Sequence, residues 1–257
     1  MHGVGGDLAL KAMEAAGFTE VELVAKQAQP DPDFPTVTFP NPEEPGALDC
    51  AFAAARENRS DIIVALDPDA DRCAVAIPTD SGWRQLTGDE TGALLGDYLA
   101  RDGGVLANSV VSSRFLGRIA QSRGAQWRTT LTGFKWIART PNLTFGYEEA
   151  IGYCCDPEAV ADKDGISAAV TVACLAAELK SAGKNLQDRL NELAAELGMY
   201  KTKPLTFRFE DITQIAPTLE KILQSPPDSL AGSPVMRASD MSKGYQGLDP
   251  TPGLVLE

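Results

Sequence analysis

The sequence contains one histidine, His2, in 257 residues. That scarcity nearly excludes a Ser-His-Asp triad or a histidine-built metal site. Cysteine is limited to Cys50, Cys73, Cys154, Cys155 and Cys174. The number is odd, the spacing is not that of a zinc site and most of the five lie in apolar contexts, so a reduced, cytoplasmic chain is the simplest expectation. No signal peptide is evident, and no apolar run approaches the roughly 20 residues that span a bilayer. Basic residues are in deficit: 23 Lys and Arg stand against 36 Asp and Glu, a net charge of −13. Such a field repels nucleic acid and anionic membranes, so neither is expected as a partner. An anionic small substrate would need local cations or a metal. Low-complexity tracts are lacking too. An apolar content of 44% can fill a core, and the length suits about two domains.

The most informative stretch that is present is Asp67-Pro68-Asp69-Ala70-Asp71-Arg72. Asp61 to Leu66 before it and Cys73 to Ile77 after it are apolar and β-branched, and both read as buried strands. Three carboxylates at alternating positions concentrate negative charge, which is unfavourable unless a cation neutralises it. Hard oxygen ligands make Mg²⁺ the natural guest, with Ca²⁺ or Mn²⁺ as alternatives. Arg72 adds a guanidinium fork suited to a phosphate or sugar oxygen. A solvated polar turn is the commoner fate of such a sequence. Against it stands the location, at the carboxyl end of a buried strand, where α/β proteins place ligands. An EF-hand is excluded, because its sixth and twelfth positions require Gly and Glu and here hold Arg72 and Pro78.

Along the chain, Met1 to Gly6 reads as a glycine-rich turn, with Asp7 as N-cap of a helix from Leu8 to Ala16 and a strand from Thr19 to Val24. No strand precedes the turn, so the amino terminus is expected to be a cut. Residues 27–47 read as a Pro- and Asp-rich surface loop, followed by a helix from Leu48 to Asn58. Thr87-Gly88-Asp89-Glu90 opens a helix to about Arg101. A second unit starts with a strand from Gly104 to Val111, a helix to Ser122 and a strand from Trp127 to Thr130. Thr144 to Gly152 is a strand with an acidic, glycine-bounded turn. Asp164 caps a helix from Ile166 to Lys180, and another runs from Leu186 to Leu197. Pro204 to Phe209 reads as a strand and Ile215 to Leu223 as a helix. The pattern predicts an α/β fold of two similar three-layer α/β domains with mixed sheets, at 1–102 and 103–200. Residues 201–257 read as the truncated start of a third, α+β domain.

At this point the chain resembles the α-D-phosphohexomutases, the phosphoglucomutase and phosphomannomutase family. Three motifs carry the resemblance, in the family's order. Asp67 to Arg72 is similar to its metal-binding loop, Thr132-Gly133-Phe134-Lys135 to its Gly-aromatic-Lys loop, and Gly146-Tyr147-Glu148-Glu149-Ala150-Ile151-Gly152 to its sugar-recognition loop. His2 to Gly6, Asn41-Pro42-Glu43 and Lys163-Asp164-Gly165 also match. The resemblance implies four domains around a cleft, of which this chain corresponds to the second, the third and part of the fourth. The family's phosphoserine segment, Ser-His-Asn-Pro, and its Arg-Pro-Ser-Gly-Thr phosphate loop do not occur here.

What the resemblance implies about chemistry is specific. A phosphoserine exchanges phosphoryl groups with a sugar 1- or 6-phosphate through a bisphosphate, with Asp67, Asp69 and Asp71 holding Mg²⁺. Arg72 steadies the sugar or its bridging oxygen, and Lys135 shuttles a proton or contacts phosphate. A lysine beside cations has reason to titrate low; otherwise Lys135 is an exposed loop lysine. Some members place a histidine just after the sugar loop, where this chain has Gly152-Tyr153-Cys154-Cys155, so that role cannot transfer. Glu148 accepts sugar hydroxyls; Glu149 either joins it or serves structure. Ala150 stands where the family commonly has serine, which opens the substrate from glucose or mannose phosphates to a pentose phosphate. The Gly-Tyr-Glu-Glu-Ala-Ile-Gly form is similar to the branch with phosphopentomutases and glucose-1,6-bisphosphate synthases. Without its phosphoserine the chain is expected to be inactive alone. A non-catalytic metal or sugar-phosphate-binding module is the alternative. A phosphatase built on the aspartates ranks lower, since Asp71 occupies the Thr/Val position of the usual Asp-x-Asp-x-Thr/Val pattern. Asp89 and Asp164 read as helix caps, Ser112 to Arg114 as an N-cap region and the three tryptophans as packing.

Overall fold

The computed structural model describes all 257 residues. They form two compact units, Met1–Thr202 and Lys203–Glu257. In the first, helices α1 (Gly6–Ala15) and α2 (Asp49–Asn58) precede three strands, β1 (Ile63–Leu66), β2 (Cys73–Thr79) and β3 (Gly82–Gln85). Helix α3 (Gly88–Leu99) leads to β4 (Val105–Ser109), α4 (Phe115–Ser122), β5 (Gln126–Thr130), the one-turn α5 (Phe134–Ile137), β6 (Leu143–Glu148) and β7 (Gly152–Cys154). Helices α6 (Gly165–Ser181) and α7 (Leu186–Leu197) complete the unit.

Two sheets result. The first has the order β1-β2-β3 and is antiparallel throughout. Its register sets Leu66 opposite Cys73, so residues 67–72 must close into a tight loop at the strand ends. The second has the order β5-β4-β6-β7, parallel between β4 and both its neighbours and antiparallel between β6 and β7. The class is α/β, as the alternation of strands and helices predicts.

Helix α3 lies at the centre of the unit. Thr87 and Glu90 close a capping box at its start, satisfying two backbone N–H groups that the helix cannot bond itself. Leu94 and Leu95 are fully buried, in one continuous core with Val75 of β2, Leu106 of β4, Phe145 and Tyr147 of β6, Tyr153 of β7 and Val172 of α6. Each such aliphatic side chain stabilises the fold by about 1.5–3 kcal/mol. No single helix is long and apolar enough to cross a bilayer.

Two expected strands are not formed. Thr19 to Val24 runs in coil and pairs with no strand, since periodicity supplies an apolar face but not a ladder partner. Pro204 to Phe209 is also coil, with Leu205 and Phe207 exposed. Asp7 is not an N-cap. Helix α1 starts two residues earlier with Gly5 in that position and no side-chain cap, which leaves Asp7 in the first turn, where its charge suits the helix dipole.

The second unit contains α8 (Ile215–Gln224) and two small antiparallel pairs, β8 (Ser229–Leu230) with β9 (Ser233–Pro234) and β10 (Ala238–Asp240) with β11 (Leu254–Leu256). Met241 and Tyr245 are its only buried residues.

Candidate functional site

The loop between β1 and β2 gathers its carboxylates as expected: one oxygen each from Asp67, Asp69 and Asp71 lies within 4.8 Å of the others. Asp67 is buried and Asp69 exposed. Ala70 makes this possible by adopting φ +62°, a left-handed conformation that costs an ordinary residue energy. Its carbonyl accepts the Gly165 N–H at 3.0 Å at the start of α6. A Cβ on Gly165 would stand 2.7 Å from that oxygen and 2.5 Å from the Arg72 carbonyl, so only glycine lets α6 approach. On the other side Val4 N–H donates to the Pro68 carbonyl at 2.9 Å, and the amino-terminal turn braces the loop. His2 takes no part: it is buried, with Nε2 2.8 Å from Thr36 Oγ1.

The cations differ from the expectation. Arg72 turns back on its own loop, donating from Nε to Asp67 Oδ2 at 2.7 Å and from its backbone N–H to Asp67 Oδ1 at 3.1 Å. Burial raises the Asp67 carboxyl above its ordinary range, and these two bonds oppose the rise. Lys163 pairs with Asp71, a contact not singled out from the sequence. Burial works to lower the Lys163 ammonium, but the Asp71 bond and the charges of Asp71, Asp162 and Asp69 hold it above its usual value. The donor set is three hard carboxylates beside only two cations, and it fits a divalent metal better than it fits the loop alone.

The turn from Glu148 to Gly152 is physically joined to this loop. Cys73 N–H donates to the Ile151 carbonyl at 3.0 Å, and Arg72 and Gly152 form an antiparallel bridge. Ile151 holds φ +55°, a strained state for a β-branched residue that its burial and bonding maintain. Glu148 accepts the Gly133 N–H at Oε1 at 2.7 Å, tying the turn to the Lys135 loop. Burial, opposed by this bond and reinforced by the Glu149 charge, raises the Glu148 carboxyl. Lys135 itself is exposed on α5, its Nζ 5.5 Å from the Trp136 ring centroid. Glu149 turns away from Glu148, and its Oε2 accepts Ser112 Oγ at 2.7 Å and Ser109 Oγ at 3.0 Å.

Of the minor expectations, Asp164 is the N-cap of α6, accepting from Ile166 and Ser167. Asp89 is not a cap. It is buried in α3, where Oδ1 accepts Ser113 N–H and Tyr147 O–H, each at 2.7 Å, and Oδ2 accepts Thr202 Oγ1. Trp127 packs on the core and donates to Asn108. Burial pushes Cys154 to about 11 and Cys155 to about 12, which leaves both thiols inert at neutral pH.

The three-carboxylate loop and the acidic turn are thus carried by two neighbouring sheets of one α/β unit. Residues 1–82 match the family model for phosphoglucomutase/phosphomannomutase alpha/beta/alpha domain II, and residues 87–197 match that for domain III. The chain belongs to the α-D-phosphohexomutase family. It is 44% identical over 248 residues to a Haemophilus influenzae protein named "Probable phosphomannomutase", an alignment covering 95% of this chain and 51% of that protein. It is 38% identical over 283 residues to the phosphopentomutase of Homo sapiens, covering 100% of this chain and 46% of that protein. The crystal structure of a phosphoglucomutase/phosphomannomutase family protein from Burkholderia thailandensis shares the fold, with a TM-score of 0.62 at 24% identity, covering 75% of this chain and 41% of that one. The chain spans about half the length of the curated relatives it matches.

Proposed function

We propose that the chain is the metal- and sugar-binding part of a Mg²⁺-dependent phosphosugar mutase, one that moves a phosphoryl group between two sugar positions through a phosphoserine and a bisphosphate. The observation that carries the reading is the backbone junction of Cys73 with Ile151 and of Arg72 with Gly152. It holds the carboxylate loop and the recognition turn as one body, as a reaction at a phosphate attached to a recognised sugar requires.

In this reading Asp67, Asp69 and Asp71 hold Mg²⁺, which neutralises charge on a transferring phosphoryl group. Arg72 orients Asp67 and opposes the effect of burial on its charge. Lys163 Nζ, paired with Asp71 and within the field of Asp69 and Asp162, is the cation best placed to meet a substrate phosphate. Lys135 stands at the rim with an unburied Nζ, suited to a phosphate contact or a proton transfer in the closed complex. Glu148 accepts sugar hydroxyls with its free oxygen while Gly133 orients the other.

The substrate class is a sugar 1-phosphate. Ala150 offers no hydroxyl to a hexose, and the human phosphopentomutase is similar over the whole chain, so the reading includes pentose phosphates beside glucose and mannose phosphates. A glucose-1,6-bisphosphate synthase is the further variant on this site. The competing reading is a binding module without catalysis.

The test is calorimetric. The 257-residue chain should bind Mg²⁺, bind ribose 1-phosphate or glucose 1-phosphate more tightly when Mg²⁺ is present, and turn over neither. Asp69→Ala should abolish the Mg²⁺ dependence. Sugar-phosphate binding indifferent to Mg²⁺ and to Asp69→Ala would overturn the metal role, and measurable turnover by the chain alone would overturn the need for a phosphoserine supplied elsewhere.

A further inference from the structure

Glu149 sits next to Glu148 but faces the other way. Its carboxylate meets the loop that leaves β4, at the carboxyl end of the parallel strands. Oε2 accepts the hydroxyls of Ser112 at 2.7 Å and Ser109 at 3.0 Å, and both serines are buried. The bond is reciprocal, because Glu149 N–H donates to Ser112 Oγ at 3.1 Å. The serines also lie 2.8 Å from each other. Two buried hydroxyls thus converge on the Glu149 carboxylate, and the Glu149 backbone N–H donates back to one of them.

The turn that carries Glu149 needs such a clasp. Ile151 is held at φ +55° and Ala150 contributes no polar side chain. Against the Glu149 carbonyl lies Gly88, where a Cβ would approach to 1.8 Å, so the first turn of α3 fits only against this one conformation of the turn. The same turn ends at the Ile151 carbonyl that Cys73 holds.

We propose that Glu149 is a positioning residue. Clasped by Ser109 and Ser112, it sets the turn so that Glu148 faces the sugar, and it makes no sugar contact of its own. This rests on the reading of the site as a sugar-phosphate site and assigns the two adjacent glutamates different tasks. It also gives a role to Ser112, which the sequence suggests only as a helix start, and to Ser109, which falls at the end of β4.

The test uses the 257-residue chain and the variants Glu149→Gln, Glu149→Ala, Ser109→Ala/Ser112→Ala, and the triple Glu149→Ala/Ser109→Ala/Ser112→Ala. Two measurements are made: amide hydrogen exchange of residues 148–153 without ligand, and dissociation constants for ribose 1-phosphate and glucose 1-phosphate with Mg²⁺. Glu149→Ala and the double serine variant should each speed exchange in the turn by about tenfold, the scale of one charge-assisted hydrogen bond. They should weaken both sugar phosphates by a common factor of about the same size. The triple variant should be no worse than Glu149→Ala, because the groups act as one unit. The carboxamide oxygen of Glu149→Gln still accepts both hydroxyls and should retain near-native values.

A change in the ribose-to-glucose affinity ratio on Glu149→Ala would make Glu149 a sugar contact and overturn the proposal. So would unchanged exchange, additive losses in the triple variant, or failure of glutamine to rescue. If the unaltered chain binds neither sugar phosphate, the functional reading fails by itself, and exchange with the triple-variant comparison still decides whether the clasp holds the turn.

Discussion

Glu148 illustrates how much a single residue's environment adds to its identity. Burial favours its protonated form and the Gly133 N–H favours the ionised one, with burial prevailing. Its folded-state carboxyl therefore titrates higher than in the unfolded chain. The stabilisation linked to that proton is complete below the unfolded carboxylate range and is lost as pH rises through the raised folded value. Glu148→Gln removes the titration but keeps an acceptor for Gly133. Its stability relative to the unaltered chain should rise between about pH 4 and pH 7, read from denaturation midpoints without divalent metal. A difference constant across that range would show that Glu148 is not raised. The motif made Glu148 a candidate from the sequence. The Gly133 bond, fifteen positions away, was not legible there, because it depends on how α5 packs against β6.

Among the elements, α3 is the one on which most of the first unit depends. Near its end Asp97, buried, accepts Arg123 of the α4 end at 2.8 Å and Arg189 of α7 at 2.8 Å. A buried carboxylate between two guanidiniums ties three helices together, and removing it leaves two half-buried cations without their shared partner. Asp97→Ala should cost about 2–3 kcal/mol, a value discounted for the partial exposure of both arginines, measured by urea denaturation. A loss below about 0.5 kcal/mol, the usual surface range, would mean solvent already carries those charges. Helix starts were legible where the signal is local: Thr87 with Glu90 and Asp164 cap as their sequences suggest. Asp89, two residues past a true cap, instead serves three distant donors, and Thr19 to Val24 forms no ladder. Both outcomes depend on partners remote in the chain.

At the scale of the whole molecule the two units differ in kind. Met1–Thr202 has a continuous core, whereas Lys203–Glu257 buries only Met241 and Tyr245 and exposes Leu205, Phe207, Ile212 and Met236. A 55-residue unit with so little apolar burial lacks the main term that offsets chain entropy. Amides of α8 and of the β10–β11 pair should therefore exchange through local opening, much faster than those of α3 and β4, in native-state hydrogen exchange. Equal protection in the two units would overturn that view.

The sequence by itself determined the α/β alternation, the carboxylate loop and the family, because these are written in short, contiguous patterns whose chemistry is local. Only the tertiary structure decided which cations meet the carboxylates and which glutamate faces where. Lys163 reaches Asp71 across 92 positions, and Ser112 reaches Glu149 across 37. Contacts of that kind arise when separate elements pack on one core and bring together charges that no short stretch of sequence can relate.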